Sequence, residues 1–477
     1  MVGIIIACIV AALLAVVLIR TAAFRPAAAE KKEYAPVEFD REAAVENLRE
    51  LVRCRTVSYY DHSLEDDAEF EKLITLLGKL YPAVSRECEL IRFEDRGLLF
   101  RWKGASSEGE CPVFMAHYDV VPVEEQFWDV DPFSAEIKDG AVWGRGTVDT
   151  KNSLNGILTA ADNLISRGFV PKTDMYFAFS GGEEVEGEGA RHIALWFKEK
   201  GIVPAFVLDE GGAVVENVFP GVSGPCGLIG IAEKGMCNLT FTANSDGGHA
   251  SAPGPHTPIG ILSKACARME AHPFRRRFTA PVLAMFDTLG RHSSFVYRMI
   301  FANLWLFGGV LDMICKKSGG ELNALVRTTV AFTQMNGSKA VNVIPPTASM
   351  TANLRLNPGD TVESAVAYAK ATVKDDSVMI TAEGRDPSPI SRTDCFGWDV
   401  ISDAVRAAWP GSLVAPYLMV QCSDSRHYSD VSDRVYKFSA ADLTAEERHS
   451  IHGNNEHIRI ETVGRAVEFF MRIMMEC

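Results

Sequence analysis

From Val2 to Ile19 the chain is uninterrupted in apolar residues and carries no charge, and Arg20 closes the run. At ~1.5 Å of rise per residue this reaches the roughly 20 residues that cross a bilayer, and it exceeds the about 7 to 15 of a signal-peptide core. The pattern predicts an uncleaved membrane anchor. Export is the alternative, because Ala27-Ala28-Ala29 offers a signal peptidase a small-residue site. Arg20, Arg25, Lys31 and Lys32 follow the run and favour a cytoplasmic body. A large following domain can override so small a bias, which leaves the orientation open.

Beyond a polar linker, Asp40 is placed to cap a helix whose Val45, Leu48 and Val52 recur at helical spacing, and Phe70, Leu73, Ile74 and Leu77 form a second stripe closed by Pro82. Short apolar strands then alternate with helices: strand 113–116, helix 153–167, strand 175–179, helix 190–200, strand 205–208. This βαβαβ rhythm predicts an α/β sheet with active residues just past the strand ends. A different order fills 233–383: strand 237–243, helix 259–271, strands 325–333 and 348–356, helix 362–373, strand 378–382. That βαββαβ set reads as a smaller α+β domain inserted into the larger one. The remainder returns to the larger domain and ends in an amphipathic helix over 462–475. The predicted organisation is a hydrophobic segment 1–20, a linker 21–39, a larger domain over 40–232 and 384–477, and an insertion over 233–383. Within the insertion, 300–314 is strongly apolar but holds Asn303 and Asp312 and is too short to span. It reads as a core or dimer-contact helix in preference to a membrane-surface contact.

Composition narrows the partners. Of 477 residues 47% are hydrophobic, enough for a core, and 48 Lys plus Arg against 62 Asp plus Glu leave a net charge of −14. Arg275-Arg276-Arg277 is the only dense basic run, far short of the stripe that neutralises phosphates, so nucleic acid is not a partner. The 11 cysteines are scattered with no Cys-x-x-Cys pair, which reads as small core residues and not a disulfide framework.

Candidate chemistry lies at five places. Strand 113–116 is followed at once by His117-Tyr118-Asp119, an imidazole that can ligate and a carboxylate that can orient it. Trp143-Gly144-Arg145-Gly146-Thr147-Val148-Asp149 ends in a carboxylate before a helix, able to ligate or to cap. Ser180-Gly181-Gly182-Glu183-Glu184 sets two carboxylates side by side, which a cation would reconcile; if Glu184 binds it, Glu183 is left near a metal-held water, where a general base is required. Asp209 lies in Leu208-Asp209-Glu210-Gly211-Gly212, and His452 in Ile451-His452-Gly453-Asn454-Asn455-Glu456. Two imidazoles and several carboxylates suit a pair of borderline-soft divalent ions with a carboxylate bridge, Zn²⁺ first by ligand type. Such a pair, about 3.5 to 4 Å apart, serves amide hydrolysis.

These motifs, with Glu233-Lys-Gly, Gly248-His249-Ala-Ser-Ala-Pro253 and Asn342-Val-Ile-Pro-Pro346 in the same order, resemble the dizinc metallopeptidase family of aminoacylase, carboxypeptidase G and carboxypeptidase S. Cys422-Ser-Asp-Ser-Arg426-His-Tyr and the phrase around His452 are most similar to the branch of Gly-Xaa carboxypeptidase and N-fatty-acyl-amino-acid hydrolases. The resemblance covers the body from about Asp40 onward. It implies a mixed sheet sandwiched by helices as a split catalytic domain, with the insertion as a lid or dimerisation domain. It implies two Zn²⁺, with Co²⁺ or Mn²⁺ as substitutes: Asp149 bridges them, His117 and Asp209 complete one site, and Glu184 and His452 the other. It further implies Glu183 as general base, Asp119 as the residue orienting His117, and His249 with Asn342 as stabilisers of the oxyanion. In dimeric relatives that histidine reaches across from the neighbouring subunit, so a homodimer is implied as possible. The substrate is a small peptide or N-acyl amino acid with a free carboxylate, for which Arg426 is the first candidate partner and Arg355 the second. Thr150 departs from the family, many members of which carry a carboxylate there. An aminoacylase or deacetylase of the same mechanism is the alternative enzyme, and a metal-free binding protein on this fold the alternative class.

Overall fold

The computed structural model describes residues 1–26, 32–217 and 219–477, so Ala27-Ala28-Ala29 and Lys31 lie outside the described residues. An apolar helix, Val2–Ala23, starts the chain. Asp40 caps the helix Arg41–Val52 by accepting the Ala43 N–H at 2.9 Å, and Leu48, Leu51 and Val52 turn inward at helical spacing.

Eight strands form the large mixed sheet, in the order Cys88–Phe93, Gly97–Trp102, Met175–Ser180, Cys111–His117, Pro204–Glu216, Val435–Leu443, Pro225–Glu233, Leu413–Met419. The central strands are parallel and buried on both faces, with Met175–Ser180 and Cys111–His117 wholly buried. Helices Lys151–Ser166 and Ile460–Glu476 pack together on one face, Gly156 beneath the ring of Phe470, while Gly189–Lys200 covers the other with Phe197.

A second sheet is four-stranded and antiparallel: Thr329–Asn336, Thr347–Leu356, Gly235–Asn244, Val378–Arg385. Burial alternates residue by residue along Gly235–Asn244 and Thr347–Leu356, so the inward set meets helices Pro258–Ala271 and Val362–Val373. Strand 325–333 of the sequence reading is shifted: Leu325 lies in the helix Gly320–Val326, and the strand is Thr329–Asn336.

The long helical stretch between these strands does not cover the small sheet. Val282, Met285, Phe286 and Leu289 of helix Ala280–His292 share a core with Ala415, Leu418 and Met419 at the edge of the large sheet. The 300–314 stretch breaks at Asn303 into helices Phe295–Ala302 and Leu304–Ser318. It is no core helix, since Trp305, Leu306, Val310, Met313 and Ile314 stand exposed.

Candidate metal centre

Sheet pairing dictates which loops meet. His117 ends its strand opposite Ser180 on the parallel neighbour, so the His117–Asp119 loop and the Gly181–Glu184 turn leave the sheet side by side. A small ribbon does the same elsewhere: Trp143 pairs with His457, and the loops holding Asp149 and His452 run together. The rings of Trp143 and His457 stack at 4.6 Å.

Asp149 lies at the centre. Its Oδ1 is 3.0 Å from Nε2 of His117 and its Oδ2 is 3.0 Å from Nε2 of His452, so each carboxylate oxygen faces a different imidazole. It therefore ligates or pairs, and it is Thr150, not Asp149, that occupies the helix N-cap. Glu184 Oε2 is 3.1 Å from His452 Nε2. Donor atoms of His117, Asp149 and Glu184 fall within 4.8 Å of one another, as do those of His117, Glu183 and Glu210.

Glu210, not Asp209, is on the His117 side: its Oε2 is 3.5 Å from Nε2, whereas Asp209 Oδ2 accepts the Ser425 N–H at 2.9 Å. The register against Val435–Leu443 slips between Asp209 and Gly212, and at this irregularity the two carboxylates part. The structure thus brings Glu210, where Asp209 was expected, to the His117 side. The sequence reading had placed this pair past a strand end. In fact the strand continues to Glu216, with a register slip just after Asp209 that local sequence does not show.

Asp119 has two tasks. Its carboxylate accepts the Glu183 and Glu184 N–H groups, each at 3.2 Å, and lies 3.4 Å from Nδ1 of His117, whose nearer partner is the Asp119 carbonyl at 3.1 Å. One buried carboxylate thus fixes both the imidazole and the Glu-Glu turn. Glu456 is a residue that sequence reasoning missed. Fully buried, it pairs with Arg145 at 2.7 Å and accepts the N–H groups of Gly146, Val148 and Asp149, clamping the loop that presents Asp149. Its position in the His452 phrase was the available signal.

Burial and charge act strongly here. Burial would raise Asp149, but hydrogen bonds from His117 and His452 hold it well below the ordinary carboxylate range. His452 is pushed up to about 10 by Asp149 and Glu184. Burial opposes protonation of His117, yet Glu210, Asp119 and Asp149 carry it well above its usual value. Glu183 is held well above the carboxylate range by burial and then by the charge of Glu210, and Glu184 is raised by burial. Imidazole and carboxylate donors in two overlapping sets, which share His117, fit divalent cations.

The remaining candidates lie outside this cluster. Arg426 is nearly buried, its Nη1 donating to the Ser423 carbonyl at 2.8 Å with Asp424 3.7 Å away. Arg355, on the small sheet, donates to Cys422 Sγ at 3.4 Å, and a further arginine, Arg385, bridges to Glu186 at 2.8 Å. His249 and Asn342 sit together on an exposed ribbon, where Ala250 N–H donates to the Asn342 carbonyl, and neither bonds to the cluster. The Ser251 N–H donates to His249 Nδ1 at 3.1 Å, so the neutral ring carries its proton on Nε2. Thr150 Oγ1 is buried without a hydrogen-bond partner.

Comparison with known proteins gives the family and the fold. Residues 113–476 match the model of peptidase family M20/M25/M40. The chain is 36% identical to the N-fatty-acyl-amino acid synthase/hydrolase PM20D1 of Xenopus tropicalis, across 92% of this chain and 86% of that one. It is 33% identical to the probable carboxypeptidase S-like 2 of Dictyostelium discoideum, across 90% and 84%. Among solved structures it is similar to the M20 family metallo-carboxypeptidase Sso-CP2 of Sulfolobus solfataricus, with TM-score 0.67 at 15% identity over 91% of this chain and 98% of that one. The dinuclear metal binding peptidase YXEP of Bacillus subtilis gives 0.56 at 14% identity over 91% and 98%.

Proposed function

The chain belongs to peptidase family M20/M25/M40, and from that premise we propose that it is a two-metal amidohydrolase releasing a C-terminal amino acid from N-acyl amino acids or small Gly-Xaa peptides. The observation that carries this is Asp149 held between two imidazoles with one carboxylate oxygen toward each.

We assign His117, Asp149 and Glu210 to one cation, and Asp149, Glu184 and His452 to the other. Zn²⁺ is the first choice by donor type, with Co²⁺ or Mn²⁺ as substitutes. When bound, such a pair polarises the scissile carbonyl and makes a water acidic enough to attack at neutral pH. Glu183, a carboxyl made more basic by burial and by Glu210, takes the proton from the attacking water and delivers it to the leaving nitrogen. Asp119 holds that base and His117 in register through the three contacts it makes.

The Nε2–H of His249 and the side-chain amide of Asn342 are assigned to the oxyanion, where a donor aimed at developing charge lowers the barrier by about 3 kcal/mol. Their exposed ribbon suits delivery from a second copy through the 233–383 segment. For the substrate carboxylate Arg355 fits better than Arg426, whose guanidinium is already bonded to the Ser423 carbonyl and nearly buried. The helix Val2–Ala23 is assigned as an uncleaved anchor. Identity to the PM20D1 relative favours a long acyl group on the substrate.

The test is metal analysis combined with a panel of long-chain N-acyl amino acids, acetyl amino acids and Gly-Xaa dipeptides. Two divalent ions per chain and turnover of the first or third class are expected. Glu183→Gln is expected to keep both ions and lose about 10²–10⁴ in kcat. A protein without stoichiometric metal, or a variant as fast as wild type, overturns the proposal.

A further inference from the structure

The N-terminal helix touches the body only at its last turns. Residues 2–16 are exposed, while Val17 and Thr21 are buried. There Arg20 donates to the Ala302 carbonyl at 3.0 and 3.2 Å, and the Asn303 amide donates to the Val17 carbonyl and to Thr21 Oγ1, each at 3.3 Å. Asn303 is the corner between helices Phe295–Ala302 and Leu304–Ser318, which are bent by 114°. A second fastening follows, with Arg291 over the Phe24 ring and bonded to the Arg25 carbonyl at 3.2 Å. The bent pair therefore begins at the foot of the helix that is long and apolar enough to cross a bilayer.

The bent pair is apolar on both sides. Its inner side, Leu304, Leu311 and Cys315, packs into the body. Its outer side presents Phe295, Val296, Trp305, Leu306, Val310 and Met313, from 39% to 63% exposed. Leu306, Val310 and Met313 recur at i, i+4 and i+7 and so form one stripe, which ends in exposed Lys316 and Lys317. Patches of this kind on soluble surfaces mark interaction sites. A helix with an apolar outer stripe and lysines at its end is suited to the boundary between acyl chains and headgroups.

We infer that helices Phe295–Ala302 and Leu304–Ser318 dock on the surface of a lipid bilayer, the one crossed by Val2–Ala23, with Lys316 and Lys317 among the headgroups. The inference rests on the anchor reading for its direction. If the first helix is embedded up to Val17, the membrane surface must pass the Asn303 corner where both helices are fastened. Positive charges lie at both ends of this surface, Arg20 and Arg25 by the corner and Lys316 and Lys317 in the last turn of Leu304–Ser318, and they complement anionic lipid. A long-chain substrate dissolved in that leaflet would then meet the enzyme without leaving the membrane plane.

Trp305 is the one exposed tryptophan among the seven in the chain and supplies the probe. The full chain is mixed with vesicles of phosphatidylcholine and phosphatidylserine whose acyl chains are brominated, and tryptophan quenching is compared between wild type and Trp305→Phe. The expected result is a quenched component in wild type that Trp305→Phe abolishes and Val310→Glu reduces severalfold. Equal quenching in both proteins, in a chain that resists alkaline extraction, overturns the docking surface while leaving the anchor intact. Quenching of Trp305 in a mature chain that has lost residues 1–24 supports the surface and removes the anchor. A dimer in detergent that Val310→Glu converts to monomer, without any Trp305 quenching, assigns the stripe to a second copy and overturns the proposal.

Discussion

Side-chain direction within one strand decides which carboxylate reaches His117. Asp209 and Glu210 are adjacent, the first buried and the second partly so, yet Asp209 faces Ser425 and Glu210 faces His117. Glu210→Gln is therefore expected to weaken the cation shared with His117 and to lower the bound-metal count toward one per chain. Asp209→Asn is expected to retain both ions and act through the loop that starts at Ser423, with an effect no larger than the about 10- to 100-fold typical of groups outside the ligand set. Metal content after dialysis against a weak chelator separates the two variants, and the opposite order would restore Asp209 as ligand. His117, Asp119, Asp149, Glu183, Glu184 and His452 were legible in the sequence because each lies in a short motif at a strand end or turn. The choice between Asp209 and Glu210 was not, because it depends on a register slip between this strand and Val435–Leu443.

The same strand shows why elements were harder to read than motifs. Gly211-Gly212 looks like a turn, and the sequence reading ended the strand at residue 208; the strand runs from Pro204 to Glu216. Its glycines answer to neighbours. A Cβ on Gly212 would lie 1.8 Å from the Leu228 carbonyl oxygen, and Gly211 adopts φ +140 with Lys437 and Met419 close by. Gly212→Ala is expected to cost about 3 kcal/mol or more, since backbone and not a flexible side chain must yield. Denaturant unfolding measures this, and a loss below about 1 kcal/mol would show that the two strands can separate without penalty. Strand Val435–Leu443 went unread for a related reason. Lys437, Ser439 and Asp442 break its apolar run, yet Lys437 is fully buried, beside the charges of Glu233 and Asp209. Nearby charges on other strands leave no mark on local hydrophobicity.

At the scale of the molecule the two sheets are joined by a single residue on the outward crossing. Strand Pro225–Glu233 belongs to the large sheet and Gly235–Asn244 to the small one, with Lys234 between them. The return crossing runs alongside, Ser388 N–H donating to the Glu233 carbonyl at 3.1 Å and Ser388 Oγ accepting the Glu233 N–H at 2.9 Å. Lys234 is 1% exposed, and its Nζ donates to the carbonyls of Ala324 and Arg327, each at 2.8 Å, so it ties the joint to the helix below. Burial, then the charge of Arg355, lowers its pKa from 10.5 to about 7. Between these values the unfolded chain holds a proton on Lys234 that the folded chain lacks. This lysine therefore makes folding more favourable as pH rises from about 7 toward 10.5, and its cost is fully present below pH 7. Subtracting Lys234→Met from wild type cancels titrations remote from the joint, and the remainder is expected to grow by about 1 kcal/mol per pH unit between pH 8 and 9. Denaturant unfolding of both proteins across that range supplies the measurement. A difference independent of pH would mean that Lys234 stays charged at the joint, held by its two carbonyls.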